Sequence, residues 1–375
     1  MSVTGVVTVQ VPGFVDHHTH LLKDSAAVGW PWQGGSVREF HQQVLRDKST
    51  PMDVAEPGSP APLDELAARL RRGLAKAAGA GLVEITEMGM RQWWYLDALA
   101  RLARRGSLPV RVRVYLASGL AEQASLADLD ARRADASPWV RLEGVKFYAD
   151  GWLVPRTCAL CRDFADEDQA GLLFQDAPAL ARRIEPFAAR GWRIATHAIG
   201  DRGIQTVLDA YELAWGNDAR AISAAMPRIE HGSIQSAETA ARIAALGVSV
   251  CIQPSFALSD ARHVRAALGQ DRLTMAYPWT MLAAAGVRPL LGTDYPIEVI
   301  QPLVGLARLV KGRSDRAGFG TDDTAPEQSR LSRDLAFSLM SDESAGTTLL
   351  SADPRVVPDD DLDQIEVHGT DPAPF

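Results

Sequence analysis

Two histidines two positions apart, His18 and His20, end the stretch Val11-Pro12-Gly13-Phe14-Val15-Asp16-His17-His18-Thr19-His20. The apolar run before them reads as a buried strand, and strand residues two apart face the same side. Two imidazoles on one face can grip a divalent metal. A surface or core histidine pair gives the same spacing, so later strands have to decide. They carry a matching set. Lys146 interrupts the apolar run between Val145 and Phe147, His197 and His231 end two further runs, and Asp294 ends another. Taken singly, each has a plain structural reading: a core histidine bonded to a carbonyl, a Lys146 pair with Glu143 or Asp150, or an Asp294 helix cap. Jointly, four of the 8 His fall at the ends of three strands, which points to a metal site.

The chemistry suits these residue types. Neutral imidazole nitrogens favour zinc, and a catalytic site keeps a water among the ligands. A metal lowers the pKa of that water towards about 7, and a neighbouring carboxylate can carry its proton to a leaving group. An ammonium at Lys146 would be repelled by such cations and disfavoured by burial. Reaction with CO2 removes the conflict, because a carbamate is anionic and can bridge two metals.

The elements that must position these residues alternate along the chain. Eight short apolar runs read as strands, in the order Val11–Val15, Leu82–Glu87, Val110–Leu116, Leu142–Phe147, Trp192–His197, Arg228–His231, Val248–Ile252 and Pro289–Asp294. Helical spacing lies between them, as in Leu66, Leu70, Leu74 and Ala77, or Leu180, Ala181, Ile184 and Phe187. Alternating strands and helices predict a parallel α/β architecture, and eight repeats predict a (β/α)8 TIM barrel with its chemistry at the C-terminal ends of the strands. A doubly wound sheet would place a glycine-rich phosphate loop where this chain has histidines. The remaining strand ends offer Glu87, Tyr115 and Gln253.

The segment after His20, with Trp30, Trp32 and a helix expected over 37–46, reads as a long functional loop. The expected organisation is a vestigial strand over residues 1–10, a barrel over 11–345 and a C-terminal tail over 346–375, acidic and proline-rich from Ser351 onward, in which Ile365–Val367 is either one strand or part of a solvated end.

Composition narrows the class. The chain has 375 residues, 46% hydrophobic and 23% charged, as a globular enzyme has. A net charge of -8 argues against nucleic-acid and anionic-membrane partners. Three cysteines, Cys158, Cys161 and Cys251, make no disulfide framework and read as reduced thiols. Neither a signal peptide nor a membrane-spanning run is visible, so the expectation is a cytoplasmic enzyme with a small-molecule substrate. A homodimer is the assembly kept open.

The whole set resembles the amidohydrolase superfamily of metal-dependent hydrolases. It is most similar to the YtcJ-like branch, which includes N-substituted formamide deformylases. The first histidine stretch carries the resemblance. So do Val145-Lys146-Phe147-Tyr148-Ala149-Asp150-Gly151, Arg156-Thr157, Thr196-His197-Ala198-Ile199-Gly200-Asp201-Arg202, Arg228-Ile229-Glu230-His231-Gly232 and Leu291-Gly292-Thr293-Asp294-Tyr295-Pro296. The resemblance implies two Zn(2+) ions. His18 and His20 would hold the more buried one, His197 and His231 the second, and carboxylated Lys146 would bridge them. Asp294 would bind the first metal and act as general base and acid. His231 and the second metal would polarise the carbonyl of an amide or cyclic amide attacked by the bridging hydroxide. Arg156 would hold a substrate carboxylate, unless it is a structural ion pair, with Trp152 and Glu87 beside the substrate.

This chain departs from the branch in three ways. The β-sandwich domain is missing or vestigial. Only about sixty residues separate His20 from the second strand, where the branch has a large insertion. Trp152-Leu153-Val154-Pro155 also replaces smaller residues before Arg156. The competing enzyme readings are a mononuclear deaminase or a lactonase or phosphotriesterase of the same superfamily. The deaminase needs a Glu shortly after the strand-six histidine, where this chain has Gly232-Ser233-Ile234-Gln235. A metal-free binding barrel is the non-enzyme alternative.

Overall fold

Eight parallel strands, each followed by helix, run β1 (Val9–Thr19), β2 (Leu82–Met90), β3 (Arg111–Ala117), β4 (Val140–Tyr148), β5 (Arg193–Ala198), β6 (Arg228–His231), β7 (Ser249–Ile252) and β8 (Leu290–Leu291). They pair in sequence order. The computed structural model describes residues 8–25, 61–135, 137–313 and 324–375. The expected helix over 37–46, the two tryptophans before it and residues 1–7 lie outside the described residues.

The strands are apolar on both faces because helices cover the outside and other strands face the inside. In β2 all but one of the residues are buried. The helix Leu63–Gly79 shows the complementary pattern, burying Leu66, Leu70, Leu74 and Ala77 along one stripe. Side-chain caps start several helices: Asp176 accepts from Ala179 N, and Ser236 from Thr239 N. Among the described residues, no helix is long and apolar enough to cross a membrane.

The sheet closes where β8 returns to β1. Thr19 bridges Tyr295 in parallel. His20 N donates to Tyr295 O at 2.7 Å, and Asp294 N donates to His18 O at 2.7 Å. Asp16 reinforces the seam, accepting from Thr293 N at 3.0 Å and from Thr293 Oγ1 at 2.5 Å. β8 has regular pairing over only two residues, shorter than the six expected, because beyond Leu291 its partner is the curving end of β1.

The C-terminal expectation needs correction. Residue 346 is no boundary: β9 (Ser341–Leu350) runs through it and pairs antiparallel with β1, and β10 (Val367–Pro372) pairs with β9. The single strand expected at Ile365–Val367 therefore starts at Val367 and runs on to Pro372. β1 pairs with β2 on one side and β9 on the other, shifting register with β9 between Pro12 and Gly13. The end of the chain is partly packed, since the Phe375 ring lies under the guanidiniums of Arg111, Arg113 and Arg141, each within 4.7 Å of its centroid.

Closure depends on one small residue. A Cβ at Gly292 would lie 2.5 Å from His18 Cβ and 2.8 Å from His18 N, which belong to a strand that cannot swing away. Gly292→Ala is expected to lower stability by about 1–3 kcal/mol through overpacking, read from the urea midpoint. A midpoint equal to wild type would show that β8 and β1 are not tightly apposed.

Candidate metal centre

Asp16 and His18 lie near the end of β1 and His20 just beyond it, all three buried, where the register with β2 shifts between Asp16 and Thr19. His197 comes from β5 and His231 ends β6. Arg228 and Glu230 already share the inner face of β6, so a regular strand would turn His231 away. Its backbone instead takes φ 77°, a left-handed value that non-glycine residues adopt at a cost of about 1–3 kcal/mol. Asp294 is similarly strained at φ 57°. Both backbones are bent where side chains must be aimed inward.

The rings then form a contiguous group. Centroids of His18 and His20 lie 5.3 Å apart, His18 and His231 5.1 Å, and His197 and His231 4.6 Å. His18, His231 and Asp294 each offer a ligand atom within 4.8 Å of the others. All of these side chains are buried, as is Lys146.

Hydrogen bonds fix which nitrogen of each ring is free to bind. His18 Nδ1 lies 2.6 Å from the Glu230 carboxylate and donates to it, leaving a lone pair on Nε2. His197 Nε2 must donate to the Gly151 carbonyl at 2.9 Å, leaving Nδ1 bare. His231 Nδ1 donates to Gln253 Oε1 at 2.8 Å. The orientation of that amide is set by Gln253 Nε2 donating to Cys251 O. Burial favours the neutral rings, pushing His20 down to about 4 and His231 to about 3, and His197 well below its usual value. Burial raises the Asp294 carboxyl, whereas positive charge on the facing His18 and His20 rings outweighs it and holds the group below the usual carboxylate range. Burial also brings Lys146 down to about 8.

The packing leaves one contact that calls for a positive charge. Asp294 Oδ1 is buried and accepts no aligned hydrogen bond. It lies 3.5 Å from His18 Nε2 and 3.2 Å from His20 Nε2. With its proton on Nδ1, His18 points a lone pair at an anionic oxygen. Two acceptors then face each other, a contact that a positive charge between them, a proton or a metal ion, relieves. Imidazole nitrogens with a carboxylate are a zinc-type donor set.

Other expected residues fare differently. Arg156 does not present an open fork to a substrate. Its Nη2 and Nε donate to Asp166 at 2.6 and 3.0 Å, and Nη1 donates to Leu153 O and Val154 O at 3.0 Å. The substrate-carboxylate role is therefore corrected to the structural ion pair. Glu87 is also occupied with structure, accepting from Leu22 N at 2.9 Å and so fastening the turn after β1 to β2. Trp152 does lie at the centre, its ring 5.6 Å from that of His197. Glu143 pairs with Arg113, and Asp150 accepts from Ile199, Gly200 and Ala159 backbone N–H groups, so neither is Lys146's dedicated partner. Cys158 and Cys161 are free thiols.

Sequence reasoning gave no role to Asp16, Glu230 or Gln253, whose partners are on other strands. A buried acid at two-residue spacing from a ligand histidine, as at Asp16, was the available signal.

A parallel barrel with imidazoles and a carboxylate converging at its C-terminal mouth defines a metal-dependent hydrolase fold. The sequence matches the Amidohydrolase family over residues 33–352, and the chain belongs to that family. It is 31% identical over 186 residues to YtcJ of Bacillus subtilis (strain 168), a protein named as an amidohydrolase, covering 49% of this chain and 34% of that one. It is 29% identical over 211 residues to LONG AFTER FAR-RED 3 of Arabidopsis thaliana, covering 55% and 35%. The matches thus span about a third of the length of these curated relatives. Among solved structures, a metal-dependent hydrolase of Pyrococcus furiosus shares the fold, with TM-score 0.66 and 22% identity over 89% of this chain and 81% of that one. Atrazine chlorohydrolase TrzN of Arthrobacter aurescens TC1, solved with zinc, has TM-score 0.54 and 13% identity over 96% and 81%.

Since the donors of Arg156 are engaged by its own loop and by His263 O, Arg156→Ala is expected to destabilise the fold by about 1–3 kcal/mol. Chemical denaturation measures this, and a change under about 0.5 kcal/mol would return Arg156 to the list of substrate contacts.

Proposed function

We propose that the protein is a metal-dependent amidohydrolase that cleaves a C–N bond in an amide or cyclic amide of a small molecule. The observation that carries this reading is the buried cluster in which His18, His231 and Asp294 each offer a ligand atom within 4.8 Å of the others, with His18 Nε2 3.5 Å from Asp294 Oδ1. The proposed ligands are His18, His20, Lys146, His197, His231 and Asp294, and the proposed cofactor is Zn(2+), two per chain. Divalent ions held there supply Lewis acidity, polarising a carbonyl and acidifying water.

The chain's own groups do the remaining work. Lys146 is brought down to about 8, so a useful share of its amine is neutral near physiological pH and able to add to CO2, releasing a proton and gaining a carbamate anion. That anion fits among cations where the ammonium does not. The Asp294 carboxylate takes a proton from the attacking water and hands it to the departing nitrogen as the C–N bond breaks. Burial keeps His197 and His231 neutral, as ligands must be. Trp152 beside His197 offers an apolar wall at the mouth. Support from relatives is of two kinds: the family membership itself, and the fold shared with hydrolases, one of which was solved with zinc.

Metal analysis and a hydrolysis screen test the proposal together. Zinc-loaded protein should carry two equivalents and hydrolyse a member of a panel of N-acyl, N-formyl and cyclic amides, with lactones as the competing class. Chelation should abolish turnover and zinc should restore it. Asp294→Asn should lower kcat roughly 10²–10⁴-fold, as removal of a proton carrier does. An Asn variant as fast as wild type, or full turnover without metal, would overturn the proposal.

A further inference from the structure

The geometry points to Glu230 as a positioning residue that holds His18 in its metal-receptive tautomer before any metal arrives. This rests on the reading of His18 as a metal ligand. Glu230 sits inside the barrel, fully buried, 212 residues away from His18 in sequence and facing it from β6. Its Oε2 is 2.6 Å from His18 Nδ1. A carboxylate in that place accepts only, so the ring keeps a proton on Nδ1, which leaves Nε2 as the atom that can meet a metal.

Arg228 makes this arrangement permanent. Its Nε donates to Glu230 Oε1 at 2.5 Å and its Nη2 to Glu230 Oε2 at 3.0 Å. The same Nη2 donates to His17 O at 2.8 Å, on the strand that carries His18. The guanidinium lies over the Tyr115 ring at 5.5 Å. Tyr211 fixes the backbone beneath, its hydroxyl donating to Arg228 O at 2.9 Å. One fork therefore neutralises the buried carboxylate, orients it and ties it to β1. Neither the charge nor the aim of Glu230 depends on a metal.

Two measurements separate this from a merely structural role. The first uses metal-free wild-type protein labelled with 15N-histidine, with the His18 signals assigned by their loss in His18→Asn. The His18 ring should carry a proton on Nδ1 without metal, and a ring with Nδ1 bare and its proton on Nε2 would overturn the inference. The second titrates zinc against a competing chelator in wild type, Glu230→Gln and Glu230→Asp, with circular dichroism to verify folding. The amide can present its NH2 to Nδ1 and so loosen the tautomer. Zinc affinity of Glu230→Gln should fall about 10- to 100-fold, with Glu230→Asp recovering part of it. Unchanged affinity in a folded Gln variant would contradict the inference. If the Gln variant does not fold, the wild-type tautomer decides alone. If wild-type protein binds no zinc at all, it is the metal-centre reading that fails, and the tautomer result still stands or falls separately.

Discussion

The seam between the eighth strand and the first is the constraint on which the site depends. The metal-ligand candidates come from β1, β4, β5, β6 and the turn after β8, and only closure brings the last beside the first. Backbone bonds from His20 N to Tyr295 O and from Asp294 N to His18 O make the seam out of the ligand residues themselves. Closing the barrel and assembling the centre are thus one event. The absence of a side chain at Gly292 is what lets the two backbones approach.

Buried carboxylates hold the strand ends in register. Asp16 joins β1 to the turn after β8, accepting from His18 N and Thr293 N. Asp150 gathers three N–H groups from the loops after β4 and β5. Glu230 spans the interior from β6 to β1. Each buried acid would be costly alone and is satisfied by several donors, a condition under which such groups rigidify a site. The strained backbones at His231 and Asp294 persist because these contacts over-determine them.

Much of this was readable in the chain itself. His18, His20, Lys146, His197, His231 and Asp294 stand out because each breaks or ends an apolar run, and burial makes a polar residue there conspicuous. The order of strands followed from alternation alone. What sequence could not supply was the partner of each group. Arg156 looked available because Asp166, ten residues on, belongs to an irregular loop with no periodicity to place it. The identity of the free nitrogen on each ring depends on neighbours from other strands. β9 went unrecognised because Ser341–Leu350 is rich in small and polar residues, and its pairing with β1 is set by long-range packing rather than local preference.

Among the described residues, His18 belongs to two buried groups that a metal could choose between: one with His231 and Asp294, the other with Glu230 and Cys251. The account requires the first, since Arg228 occupies the second with its own positive charge. X-ray absorption at the zinc edge of the loaded protein distinguishes them directly. The predicted spectrum has only nitrogen and oxygen in the first shell, at about 2.0–2.1 Å, with outer-shell scattering from imidazole rings. A sulfur ligand at about 2.3 Å, or a spectrum without imidazole scattering, would contradict the account.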